Sequence, residues 1–169
     1  MTTSRREQLV VHALPGIHGT TVTARRHELV IDEAPRYGGH DSGANPVEHI
    51  LAGIAAASLV VLRLLGEEAI ADSATLTVSA SLNVDRVMGT DNGAVIELIR
   101  LDWEVANAAH AERLRAALPH LASRRPGQAL IDAASENREE VSVREATLRT
   151  NSCIPGSARR PFVDRAPTT

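Results

Sequence analysis

The feature that most constrains this chain is a helix-forming segment that is apolar on nearly all sides. It opens at Asn45-Pro46, and Arg63 is the only charged residue between Glu48 and Gly66. Asn45 can cap the helix, Pro46 suits its first position, and Glu48 falls at the third position, as in a capping box. A helix that is apolar all round is buried on most sides. Its many alanines would also let another backbone approach closely.

Composition limits the classes of function that need to be considered. The chain has 169 residues, a formal net charge of −3 and only one Trp, one Tyr and one Phe. A chain of this length is typically one domain with a real core, here an aliphatic one. Without aromatic platforms or a basic surface we expect no nucleic-acid partner, and the charge gives no reason to expect a membrane partner. The N-terminal residues lack the apolar stretch of a signal peptide, so we predict a cytoplasmic protein.

The pattern of apolar residues predicts an α+β fold. We expect a single domain over residues 1–149 and an irregular or mobile tail over residues 150–169, which are rich in Pro, Arg, Ser and Thr. A hairpin loop is predicted at Gly89–Gly93, between two long strands. The predicted strands are Gln8–Leu14, Thr20–Ala24, His27–Ile31, Ser73–Val87, Ala94–Ala106 and Glu140–Leu148, and the later helices are Ala109–Leu121 and Pro126–Ala134.

A turn-rich loop precedes the apolar helix and contains Pro35, Gly38, Gly39 and Gly43. This passage from loop to helix, together with the order of elements over roughly residues 8–149, resembles the OsmC/Ohr family, whose best-known members reduce organic hydroperoxides with two cysteines. The resemblance implies antiparallel sheets wrapped around a long central helix in an intertwined homodimer. It also implies two equivalent pockets at the subunit interface.

The same resemblance implies that the family's chemistry is absent. The position of the attacking cysteine is Ala57, and that of the second cysteine, before Pro126, is Arg125. Peroxidase members carry a glutamate directly after the helix-start proline, where this chain has Val47. Glu48 is one residue further on, about 100° round the helix, and need not inherit that role. We therefore predict that the protein is not a cysteine-based hydroperoxide reductase.

Histidines next to carboxylates are the remaining candidates for catalysis. His40 precedes Asp41 in the loop, and His49 follows Glu48 in the first turn of the helix. A histidine with a nearby carboxylate is the minimal unit for general acid–base catalysis, although such residues are also common as solvated or capping groups. By the resemblance, the ligand-binding candidates are Ala57, Ser58, Arg125, His18 and Tyr37.

No metal or cofactor is predicted. A site made of His12, His18, His40 and His49 would suit zinc or copper, but no metal-binding spacing supports it. Cys153, the single cysteine, lies in the predicted tail.

Several functions fit these observations. The first is cofactor-free acid–base chemistry on a small organic molecule, by hydrolysis, isomerisation or cyclisation, in the interface pocket. The second is a binding or stress-associated protein that holds a small apolar ligand without turnover. The third is a remnant whose pocket has filled in, and a further alternative is residual thiol peroxidase activity through Cys153.

Overall fold

The computed structural model describes residues 7–134 and 136–144, which form a mixed α+β fold. Cys153 and the rest of the predicted tail lie outside these residues. A single turn of 3-10 helix spans Pro35–Tyr37. The strands are β1 (His12–Pro15), β2 (Thr20–Ala24), β3 (His27–Ile31), β4 (Thr75–Leu82), β5 (Ile96–Val105) and β6 (Glu136–Val143), and the helices are α1 (Pro46–Leu64), α2 (Glu68–Ser73), α3 (Val84–Val87), α4 (Ala108–Ala122) and α5 (Gln128–Ala133).

The strands form two three-stranded sheets. The order β1-β2-β3 is an antiparallel meander, and the second sheet has the order β4-β5-β6. β4 and β5 are antiparallel, but β6 runs parallel to β5, with Leu101 opposite Glu139. The expectation of purely antiparallel sheets is therefore wrong for this strand. α4 and α5 form a crossover that returns the chain to the end of the sheet where β5 began, and only such a long connection permits parallel pairing.

Local structure also differs from the predicted elements between α1 and β5. The predicted strand Ser73–Val87 ends at Leu82, because Asn83 caps a short helix and its side chain accepts a hydrogen bond from the Arg86 N–H at 2.9 Å. The helix α2 was not predicted. The last strand begins at Glu136, and the end of its predicted range, Leu148, lies outside the described residues.

The core lies between the second sheet and the helices. Alternate residues of β5, from Ile99 to Val105, are almost fully buried and pack against α1, α4 and α5. Among the described residues, the meander β1-β2-β3 contributes nothing to either core cluster. Its apolar side chains therefore stay largely exposed in the single chain, among them Leu14, Leu29 and Val30.

α1 begins with the predicted capping box. The Asn45 side chain accepts a hydrogen bond from the Glu48 N–H at 2.9 Å, and the Asn45 N–H donates to the Glu48 carboxylate at 2.7 Å. Only Ile54, Ser58, Val61 and Leu62 of this helix are buried. By length and composition alone α1 could cross a membrane, and the core helix of a soluble protein meets the same criterion.

Candidate functional site

The loop between β3 and α1 is held by Asp32, which is buried although it is charged. Its carboxylate accepts hydrogen bonds from three backbone N–H groups. Those bonds, from Ser42 and His40 above all, lower the pKa of Asp32 below its ordinary value. The loop thus has a fixed shape around one ionised side chain. The donors are the N–H groups of Glu33 at 2.8 Å, His40 at 2.9 Å and Ser42 at 3.1 Å.

Two glycines allow the loop to fold this tightly. A Cβ atom on Gly39 would lie 1.8 Å from the carbonyl oxygen of Glu33, and one on Gly43 would lie 2.1 Å from that of Val30. Contacts of that length are impossible, so both positions need glycine. The turn-rich composition noted in the sequence is therefore a requirement of close backbone packing.

The loop brings His40 to His18, which lies in the turn between β1 and β2. Their ring centroids are 4.8 Å apart, with an angle of 69° between the planes. Asp41 adopts a left-handed conformation (φ 58°), and its N–H donates to the Glu33 carbonyl at 3.1 Å. Tyr37 is exposed, and the Arg36 guanidinium lies 4.9 Å from its ring centroid.

Glu48 and His49 serve the start of α1. Glu48 belongs to the capping box, and Nδ1 of His49 lies 3.1 Å from the carbonyl oxygen of Asn45, which fixes Nδ1 as the donor and leaves Nε2 as the free ring nitrogen. Among residues 7–134 and 136–144, no histidine side chain forms a hydrogen bond or ion pair with a carboxylate. The described residues likewise hold no group of three or more His, Cys, Asp or Glu that could bind a metal ion.

Ala57 and Ser58 lie on different sides of α1. Ser58 is fully buried, and its hydroxyl donates to the Ile54 carbonyl at 2.8 Å, so it packs against the core. Ala57 is half-buried and belongs to a largely exposed stripe that repeats every three or four residues. We call this set the α1 stripe: Ile50, Gly53, Ala57, Val60 and Leu64.

A shallow groove of about 310 Å³ lies on the opposite side of α1 from Ala57, beside β4. Ala55 lines this groove, and two residues along a helix turn the side chain by about 200°, which separates it from Ala57. The groove is therefore distinct from the surface where the resemblance places the pocket. Its lining residues are Glu48, Leu51, Ala52, Ala55, Leu76 and Val78.

Arg125 is a buried charge with partners inside the chain. Its side chain is wholly inaccessible, and its guanidinium lies 2.6 Å from the Glu139 carboxylate and 3.1 Å from the side-chain oxygen of Gln128. The same Glu139 oxygen accepts a hydrogen bond from Nε1 of Trp103 at 2.9 Å. The network ties the segment before α5 to β5 and β6, while Nε of Arg125 has no partner.

Asp32 and Glu139 are the structurally important charges that were not singled out from the sequence. Asp32 comes directly after β3 and opens the glycine-rich loop, which is a usable signal for a carboxylate that binds loop N–H groups. Glu139 has no comparable signal, because its inward orientation follows from the register of β6 on β5.

Comparison with solved structures places this architecture among known folds. An OsmC-like protein from Mycoplasma pneumoniae aligns with a TM-score of 0.66 and 16% identity over 82% of this chain and 99% of that chain. An organic hydroperoxide resistance protein OsmC from Legionella pneumophila aligns with a TM-score of 0.58 and 15% identity, over 83% and 98% of the two chains. For a putative organic hydroperoxide resistance protein from Vibrio cholerae, with captopril bound in one of its active sites, the values are 0.56 and 20%, over 85% and 95%.

Neither the models of known protein families nor the curated proteins give a match to this sequence. The structural alignments span nearly the whole length of each solved protein, with TM-scores well above those of unrelated folds. At these low identities they establish the architecture. The chain therefore has the fold of the OsmC and organic hydroperoxide resistance proteins.

Proposed function

We propose that the protein is a homodimer that holds a small apolar organic molecule against the α1 stripe without turning it over. The observation that carries this proposal is the stripe itself. It is apolar and contains no nucleophile, and several of its members are open to solvent in the single chain, with Val60 53% and Leu64 74% exposed. Such a surface is typical of a region that another molecule covers.

The spacing of the stripe supports a second copy of the chain as part of that cover. Apolar residues that alternate at three and four positions form the seam along which helices pack side by side. A Cβ atom on Gly53 would meet nothing within 4 Å, so a second helix could approach closely there. The exposed apolar side chains of the meander would be covered by the same association.

A small molecule is the second part of the proposal. By the resemblance, Ala57 occupies the position from which a cysteine would face the pocket, and its methyl group offers only an apolar contact. The Vibrio cholerae protein with captopril in an active site supports the idea that this fold can hold a molecule of that size. Binding without turnover is consistent with the absence of a reactive group at Ala57.

Acid–base catalysis has less support. Glu48 is engaged in the capping box and Nδ1 of His49 is bonded to backbone, so neither forms the histidine–carboxylate unit that general acid–base catalysis uses. Nε2 of His49, in the first turn of α1, favours this alternative. The Cys153 alternative rests on a residue outside the described part of the chain.

The proposal is tested by measuring mass, binding and turnover on the same preparation. Light scattering should give the mass of two chains, and calorimetry should detect binding of cumyl alcohol. Cumene hydroperoxide with dithiothreitol should not be consumed. Ala57→Phe should abolish binding by filling the site, whereas Ala109→Phe, at an exposed position of α4, should leave it unchanged.

Three results would contradict this function. A monomer that unfolds cooperatively would show that two copies do not pack along the α1 stripe. Consumption of cumene hydroperoxide that disappears in Cys153→Ser would establish the thiol alternative. Hydrolysis of p-nitrophenyl acetate that disappears in His49→Gln would establish acid–base catalysis instead.

A further inference from the structure

Two exposed imidazole rings meet at the edge of the loop that precedes α1. His18 belongs to the turn between β1 and β2, and His40 belongs to the loop organised by Asp32. The two residues are far apart in the sequence, but their ring centroids are 4.8 Å apart. The proposed function makes no use of either ring.

This separation is close to the one that a shared metal ion imposes. With Zn–N bonds of about 2.0–2.1 Å, the centroid of each imidazole lies about 3.2 Å from the ion, and two ligands about 90–110° apart then have centroids about 4.5–5.2 Å apart. The observed distance falls inside this range. The rings stand edge to face, with 69° between their planes, so they must rotate to direct a nitrogen at one point, and the exposure of both side chains allows this.

The backbone holds both histidines near Asp32. The N–H of Gly16 donates to the Gly19 carbonyl at 2.8 Å and closes the turn that carries His18. The turn packs on Asp32, because a Cβ atom on Gly19 would lie 2.8 Å from the Asp32 Cβ. His40 is held by its own N–H, which donates to the Asp32 carboxylate at 2.9 Å. The backbone positions of both histidines are therefore held around Asp32, and the ionised carboxylate nearby favours a cation.

We propose that His18 and His40 form a two-histidine site for a divalent transition-metal ion of the zinc and copper class, with water as the remaining ligands. Imidazole nitrogen is a preferred ligand of these ions. The bound ion would link the β1–β2 turn to the loop before α1 and would stiffen that loop. This proposal departs from the expectation from the sequence that the chain holds no metal, because it rests on a juxtaposition that no spacing in the sequence indicates.

The test is a titration of the full chain with Zn²⁺. Calorimetry measures the binding, and NMR records the imidazole proton resonances during the titration. We expect the resonances of His18 and His40 to move while those of His27, on β3 of the same sheet, stay in place. His18→Gln and His40→Gln should each weaken zinc affinity by about tenfold or more, since even the loss of a group supporting a ligand costs that much. His27→Gln and Cys153→Ser should bind zinc as the unchanged protein does. Zinc should also raise the unfolding temperature in a concentration-dependent way.

Each of the following results would contradict a metal site formed by His18 and His40. Zinc affinity that survives both glutamine variants, or that is lost in Cys153→Ser, would place the ion elsewhere. Equal movement of the His27 resonances would indicate non-specific binding to exposed histidines. Because both histidines are exposed and donate no side-chain bond to the core, their replacement should leave circular dichroism unchanged, and a change there would contradict the placement described here.

Discussion

Asp32 determines the shape of the loop that leads into α1. A carboxylate that accepts three backbone hydrogen bonds satisfies donors that the tight turn would otherwise leave unpaired. The same bonds stabilise the ionised form, which is why the pKa of Asp32 is lowered. One side chain thus connects the fold of the loop to the position of His40.

Asp32→Asn should destabilise the protein at pH 7 and have less effect at low pH. Because the pKa of Asp32 is lower in the folded state, its contribution is complete above the ordinary aspartate pKa, about 3.9, and is lost as the pH falls through the folded value. The urea midpoints of the two proteins should therefore draw together as the pH falls below the ordinary aspartate pKa. The amide protons of His40 and Ser42 should exchange about tenfold faster in the variant at pH 7.

Asp85→Asn removes the same charge from an exposed position on α3 and is the matched control. It should leave the exchange of both amide protons unchanged. A pH-independent difference between the Asp32 variant and the unchanged protein would show that the ionised carboxylate is not what holds the loop.

Arg125 illustrates a charge whose role was not evident from the sequence. The resemblance implies that it lines a ligand pocket, whereas a charged residue beside the end of a helix is more often at the surface. It is instead inaccessible to solvent and paired with Glu139, which also receives the Trp103 indole N–H. The ion pair joins elements that are distant in the chain, so no local pattern could have indicated it.

Arg125→Met should lower the free energy of unfolding by about 3 kcal/mol, since removal of one partner leaves a largely buried charge unpaired. Arg138→Met, which breaks the exposed pair between Arg138 and Glu136, is the control and should cost less than about 1 kcal/mol. Urea unfolding measures both. Equal losses in the two variants would mean that burial of the Arg125 pair contributes nothing to stability.

At the scale of elements, α1 is the part of the fold that the sequence specifies best. Its capping box, its proline at the first position and its apolar length are all local features, and the structure contains them where they were predicted. β6 is the opposite case, because its parallel pairing depends on where the α4–α5 crossover returns the chain. The end of β4 depends on the helix cap formed by Asn83. An alternating pattern of polar and apolar residues does not indicate such a cap.

Asn45→Ala should destabilise the protein by about 1 kcal/mol, because the Glu48 N–H loses its side-chain acceptor and the capping box is broken. Asn45→Asp keeps an acceptor oxygen and should stay close to the unchanged protein. Thermal unfolding monitored by circular dichroism measures the difference. If the alanine and aspartate variants unfold together, the cap is not contributing to the stability of α1.

At the scale of the whole molecule, two apolar surfaces are not covered by the residues that the structure describes. One is the α1 stripe and the other is the meander β1-β2-β3, which contributes to neither core cluster of the described residues. Together they explain why a helix apolar on nearly all sides is buried only along one face. The apolar pattern of α1 predicts that the helix is buried on most sides. The structure shows which of its faces is exposed among the described residues.

Gly53→Arg tests whether the α1 stripe is covered by a second copy of the chain or faces solvent. Position 53 is exposed in the single chain and has nothing within 4 Å of a Cβ atom, so an arginine there should cost no more than an ordinary surface substitution if the stripe faces water. If two copies pack along the stripe, a charged side chain would be forced into an apolar seam where glycine allows close approach. We expect loss of the dimer together with loss of cooperative unfolding, as measured by light scattering and circular dichroism.

Glu112→Arg, at an exposed position of α4, should unfold and associate as the unchanged protein does. A Gly53→Arg protein that stays dimeric and unfolds normally would exclude the stripe from the interface.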